Sequence, residues 1–147
     1  MQLSLALDSF QETLPKKPYC TNDLSQGLLI RPKEMAIKFK YLQPDHPYYQ
    51  NYLILDLDYE SSLIEILYSM VGVPLPNLLV ENKENGRSHI FINLKTPNYK
   101  TNASKLKPII YANAILKRLQ ALFNADVGYS GLIAKNPVHN HWLAHTL

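Results

Sequence analysis

The sequence holds 147 residues, 46% hydrophobic and 18% charged, with a formal net charge of +3, the balance of one soluble globular domain spanning residues 1–147. Cys20 is the only cysteine, which excludes a disulfide framework or a cysteine zinc site and fits a reducing, cytoplasmic setting. The first residues lack the basic start of a signal peptide and no apolar run is long enough to span a bilayer, so no membrane partner is expected.

Residues 1–14 place Leu3, Leu5, Ala6 and Phe10 at the spacing of a short amphipathic helix, and Pro15, Pro18 and Pro32 then bracket a loop-rich stretch. EMAIKFKYLQ (34–43) alternates Met35, Ile37, Phe39 and Tyr41 with polar or small residues, which predicts a half-buried strand. After a turn at PDHP (44–47), NYLILDLDY (51–59) predicts the next strand, and the two runs are expected to pair as neighbours. SSLIEILYSMVG (61–72) predicts a short helix opened by Ser61 or Ser62 and closed near Gly72. NLLVEN (77–82) and SHIFINL (88–94) read as two strands joined by KENGR, whose Asn85-Gly86 is a hairpin signal. The clearest helix runs from Ser104 to Asn124, with an apolar stripe of Leu106, Ile109, Ile110, Ile115, Leu116, Leu119, Leu122 and Phe123 and with Pro108 in its first turn, where proline is tolerated. ADVGYSGLIAKNP (125–137) offers a turn and one more short strand. This order predicts an α+β fold, a mostly antiparallel sheet with helices on one side. NHWLAHTL ends on apolar residues, which gives the expectation that the chain is the front part of a longer protein.

Charge is unevenly spread. Residues 51–94 hold Lys83 and Arg87 against six acids, a balance of −4, whereas residues 95–147 hold seven basic residues against Asp126 alone, a balance of +6. An acidic centre beside a basic segment suits a metal site that handles a polyanion; a solvated helix face carrying lysines gives the same pattern.

Within LILDLD (53–58), two carboxylates interrupt an otherwise apolar strand. Alternate residues of a strand share a face, so Asp56 and Asp58 lie about 7 Å apart at the α-carbon. Such a pair must protonate, reach water or bind a cation, and Mg²⁺ or Mn²⁺ is the simplest partner because both prefer oxygen ligands. Acids at a strand end that point into solvent are the plainer alternative. GRSHIFINL places His89 at the start of another strand beside Arg87 and Ser88, where an imidazole and a guanidinium fork suit phosphate oxygens. Asp126 follows the long helix and precedes Gly128, Tyr129 and Gly131, a position typical of a turn.

In the order hhDhD, SxH and hD (h apolar), these three motifs resemble the plasmid replicase (Rep) proteins of theta-replicating bacterial plasmids, within the archaeo-eukaryotic primase superfamily. The resemblance runs through YLQPDHPYYQNYLILDLDY, PNLLVENKENGRSHIFINLKTP and ADVGYSGLIAKNPVHNHW, roughly residues 36–142. It implies a primase catalytic core with an RRM-like sheet and the motifs gathered on one face. Asp56, Asp58 and Asp126 match the carboxylates that bind Mg²⁺ or Mn²⁺, and His89 matches a nucleotide-contacting histidine. Ser88, Arg87, Lys135 and Asn136 fall where phosphate or template contacts are expected. The implied activity is synthesis of a short primer at a plasmid origin, from nucleoside triphosphates on a single-stranded DNA template, for a host DNA polymerase to extend. Two-metal phosphoryl transfer needs such bridging carboxylates and phosphate clamps.

Two other readings start from the same residues. HNHWLAH offers His139, His141 and His145 to a histidine-metal nicking enzyme or to zinc, although Asn140 interrupts the paired-histidine pattern. A non-catalytic module that binds single-stranded origin DNA would use the aromatics and the basic last third.

Overall fold

The computed structural model describes residues 2–69, 72–99 and 106–147. In chain order the elements are helix α1 (Gln2–Glu12), strand β1 (Tyr19–Thr21), a 3-10 turn (Leu24–Gln26), β2 (Leu29–Ile30) and the short helix α2 (Lys33–Ala36). There follow β3 (Tyr41–Leu42), β4 (Tyr49–Leu57), α3 (Ser62–Ile64) running into a π-helical turn (Glu65–Ser69), and β5 (Leu78–Asn82). The rest comprises β6 (Ser88–Tyr99), α4 (Leu106–Phe123), β7 (Ala134–Lys135) and β8 (Trp142–His145). Strands β4, β6, β5 and β8 form one antiparallel sheet in that spatial order, and β2, β1, β3 and β7 form a smaller one. The fold is therefore α+β with antiparallel sheets, as the sequence predicts.

Alternation along β4 divides the core in two. Leu53, Leu55 and Leu57 join Leu79 and Ile90 under Leu119 and Phe123 of α4 and Ile66 of the π-helical turn. Tyr52 and Ile54 face the other way with Leu78, Val80 and Phe91, where Phe10 of α1 and Cys20, Leu42 and Ala134 of the small sheet cover them. Because both faces are buried, β4 reads as a near-continuous apolar run instead of an alternating one. The expectation of helices on one side holds for α3 and α4, but α1 packs on the opposite face: the ring of Phe10 lies 6.0 Å from that of Phe91 and 6.2 Å from that of Tyr52.

The strand predicted over residues 34–43 is not formed as such. Its start winds into α2, where the amides of Met35 and Ala36 both bond to the carbonyl of Pro32. The carbonyls of Ile37 and Phe39 are taken by the side-chain amide of Asn136, and that of Lys40 by the indole of Trp142, so side chains satisfy backbone that a ladder would otherwise use. Only Tyr41 and Leu42 are extended, and they pair with β1 and β7, not with β4. The helix predicted at Ser62 is present, while residues 70–71 of that prediction lie outside the described residues. In α4, Leu119 and Phe123 are buried as predicted, yet Ile110 and Leu122 are exposed; the predicted start at Ser104 lies outside the described residues. Strand β8, added at the edge beside β5, is not among the predicted elements.

Candidate active site

The end of β4 meets three segments there. In the β4–β6 register Asp56 lies opposite His89, and Leu57 opposite Ser88. The connection 83–87 folds back with Gly86 at φ +72°, and Ser62 holds it: the Ser62 hydroxyl and amide both donate to the Gly86 carbonyl, at 2.7 and 3.3 Å. This sets the Arg87 guanidinium 3.2 Å from the Asp58 carboxylate. From the other side, α4 stops at Asn124, whose φ of +53° is a left-handed helix cap. The amides of Asn124 and Ala125 bond back to Ala121 and Gln120, and the next amide, of Asp126, donates to the carbonyl of Asp56 at 2.8 Å. Tyr59 locks the same corner, its hydroxyl donating to the Phe123 carbonyl at 2.8 Å.

These segments enclose a cleft of about 430 Å³. It is lined by the charged and polar side chains of Asp56, Asp58, Arg87, His89 and Lys135, by the apolar Leu24, Leu132 and Ile133, and by Asn82 and Asn85 of the hairpin. His89 is buried, and its Nδ1 accepts a hydrogen bond from the Lys135 amide at 3.0 Å. An accepting Nδ1 leaves the ring proton on Nε2, which stands 3.5 Å from a carboxylate oxygen of Asp56. Burial, and then the nearby Lys135 charge, holds the His89 pKa well below its ordinary value, so the contact is between a neutral imidazole donor and a carboxylate. Tyr129 stacks on His89 with ring centroids 4.9 Å apart, and its own hydroxyl donates to the Ile133 carbonyl at 2.6 Å.

Charge in the cleft is mutually dependent. Burial raises the Asp56 pKa, and the carboxylates of Asp58 and Asp126 raise it further, against Lys135 and Arg87. The Lys135 ammonium is shifted down by burial, while Asp56 and Asp58 partly restore it; it also lies 5.4 Å over the ring of Trp142.

Of the residues singled out in the sequence, the fold thus brings Asp56, Asp58, Arg87, His89 and Lys135 into one cleft. Asp126 stands at its margin, close enough for its charge to act on Asp56, but its carboxylate is turned to accept the Gly128 amide at 2.8 Å. Ser88 faces away, as the neighbour of an inward residue in a strand must; it is fully buried with its hydroxyl 2.6 Å from that of Ser62. Asn136 is fully buried too, and its side chain is committed to Ile37, Phe39 and Val138, so it braces the fold. The three histidines of HNHWLAH do not converge. His145 bonds Glu81 at 2.9 Å, and the His139 Nδ1 accepts the His141 amide. Sequence reasoning missed Tyr129 and Leu24; a GYSG turn and a lone leucine carry no signal until the loops are placed.

Among the described residues, no three His, Cys, Asp or Glu side chains are grouped to hold a metal by themselves. The oxygen donors at the cleft, the carboxylates of Asp56 and Asp58 with that of Asp126 at the margin, are of the type that a hard cation takes when it completes its shell with water and substrate phosphates.

The molecule is therefore an α+β domain with a mixed-charge cleft at the end of its central strand. Its sequence matches the Replicase family over residues 13–147, and the chain belongs to that family, with a role in replication. Neither a curated protein nor a solved structure gives a significant match.

Proposed function

We propose that this chain is a primase-type nucleotidyltransferase that makes a short primer at a plasmid origin, on the catalytic core of the archaeo-eukaryotic primase superfamily. The observation that carries the reading is the meeting of Asp56, Asp58, Arg87, His89 and Lys135 in one cleft inside a member of the Replicase family. Asp56 and Asp58 would hold Mg²⁺ or Mn²⁺, and Asp126 would join them by releasing the Gly128 amide. A cation held there would supply activation of the attacking 3′-hydroxyl and charge to offset the departing pyrophosphate. Arg87 grips phosphate oxygens with its planar fork, and Lys135 adds a second positive charge at the cleft floor. His89 donates its Nε2 proton to a phosphate oxygen without titrating, because the Lys135 amide fixes the tautomer. Leu24 and Leu132 give the nucleobase an apolar wall. The substrates are nucleoside triphosphates and single-stranded origin DNA, and a host DNA polymerase extends the product.

The test incubates the protein with nucleoside triphosphates, Mn²⁺ or Mg²⁺ and a single-stranded origin template. Labelled short oligonucleotides are expected, falling to background in the Asp56→Asn/Asp58→Asn variant while its unfolding midpoint in urea stays within the range of the parent. Undiminished synthesis by that variant rules the mechanism out. A binding module without turnover is the second reading, favoured by the way each acid already has a partner, Asp58 in Arg87 and Asp56 in His89. Retention of the template with no product in either metal selects it.

A further inference from the structure

A second set of aromatic rings lies apart from both cores. His46 and Tyr48 have ring centroids 5.3 Å apart, His46 and Tyr49 4.9 Å, and Tyr49 and Tyr99 5.0 Å. Tyr48 is 57% exposed, Tyr99 58% and Tyr49 39%, whereas Phe10, Phe91 and Tyr52 are buried. The exposed rings are nevertheless held in place. Tyr49 and Tyr99 face each other across the β4–β6 ladder, the Tyr48 amide donates to the His46 Nδ1 at 3.0 Å, and the Tyr49 amide donates to the His46 carbonyl at 3.1 Å. The cluster is thus exposed, lies outside both cores and is tied down by backbone hydrogen bonds.

We propose that His46, Tyr48, Tyr49 and Tyr99 form a stacking platform for the bases of a single-stranded nucleic acid. Three observations fix the partner's chemistry. Every base offers a π face to an aromatic ring, and a duplex hides those faces within its own stack. A groove of about 400 Å³ along the open edge of β4 is lined by His46, Pro47 and Gln50, and also by Ser130 and Leu132, which line the acid cleft as well. The groove thus adjoins both the platform, at His46, and the acid cleft, at Ser130 and Leu132. Residues 88–125, which supply Tyr99 and α4, contain no acid and include Lys95, Lys107, Lys117 and Arg118, while Asp45, which lines the groove, is 8% exposed and accepts the Asn51 amide at 2.9 Å, so the exposed charge these elements offer a phosphate backbone is positive. The assignment of this strand as template rests on the polymerising role proposed above; the platform itself does not.

The experiment measures fluorescence anisotropy of a labelled oligo(dT) of about twelve nucleotides, with no metal or nucleotide present, beside a duplex of equal length. The parent is expected to prefer the single strand. Tyr48→Ala/Tyr99→Ala should weaken it by about tenfold or more, whereas Tyr48→Phe/Tyr99→Phe, which keeps the rings, should stay within about twofold. Tyr68→Ala, at a tyrosine 81% exposed elsewhere, should have no effect, and thermal unfolding of all variants should match the parent. Equal affinity of the alanine pair and the parent overturns the proposal and leaves the rings to a protein partner. Equal loss in the phenylalanine pair overturns stacking, as does a parent that does not hold the oligonucleotide. Absence of primer synthesis beside an intact tyrosine effect refutes the polymerising role alone.

Discussion

His89 lies opposite Asp56 in one register and opposite Val80 in the other, in the middle of the sheet, only 6% exposed and open to the cleft on one side. Burial favours the neutral form of an imidazole, whose two ring nitrogens then need one donor and one acceptor as partners. The Lys135 amide supplies one, which makes Nε2 the donor, aimed at the cleft. The expected observation is the Nε2–H tautomer in the ¹⁵N spectrum of the metal-free protein at neutral pH; an Nδ1–H tautomer would remove the donor role assigned to this ring. The neighbouring residues show what a linear motif conceals. Ser88 and His89 are adjacent in sequence but back opposite cores, since a strand turns successive side chains to opposite faces. Asn136 adjoins Lys135, yet its amide is consumed by two main-chain carbonyls of the segment before β3. The sequence could mark these positions as special without saying which served chemistry and which served the scaffold.

The connection between β5 and β6 aims Arg87, and its geometry depends on one glycine. Gly86 takes a left-handed φ, and a β-carbon built there would stand 2.6 Å from the backbone amide of Ser61, itself left-handed at φ +59°. Backbone cannot swing aside as a flexible side chain does. Gly86→Ala is expected to cost about 1–3 kcal/mol in urea unfolding and to pull Arg87 off Asp58, weakening triphosphate binding as well. An unchanged unfolding midpoint would show that the hairpin is free to shift. This connection was legible, because Asn-Gly between two apolar runs is a local signal with a local cause. The central strands and α4 were legible for the same reason, since their patterning repeats over several residues. The segment from Glu34 to Gln43 was not: its alternation imitates a strand, while the partners that fix it, Asn136 and Trp142, lie about a hundred positions away. A strand of two residues such as β2 carries too little pattern to be read, and β7, the short strand expected within residues 125–137, could be placed only to within that stretch.

The cleft is a junction of the two layers. Asp56 leaves the sheet on the face covered by α1 and the small sheet, where Tyr41 and Lys135 are paired across β3 and β7 and complete the wall. The acids and the histidine could be picked out from their motifs, but the wall could not, because it exists only once the small sheet docks. That docking depends in turn on α1, all of which precedes the stretch matched to the Replicase family. Phe10, 1% exposed, fills the space between Tyr52 and Phe91 with its ring edge-on to the latter, and Phe91 stands two residues from His89 on the same face of β6. Removing the ring leaves a cavity that two strands of hydrogen-bonded sheet cannot collapse into, so Phe10→Ala is expected to cost about 3–5 kcal/mol, read from urea unfolding. A loss below about 1 kcal/mol, against that range, would mean that the helix rides on the surface and contributes nothing to the floor of the cleft.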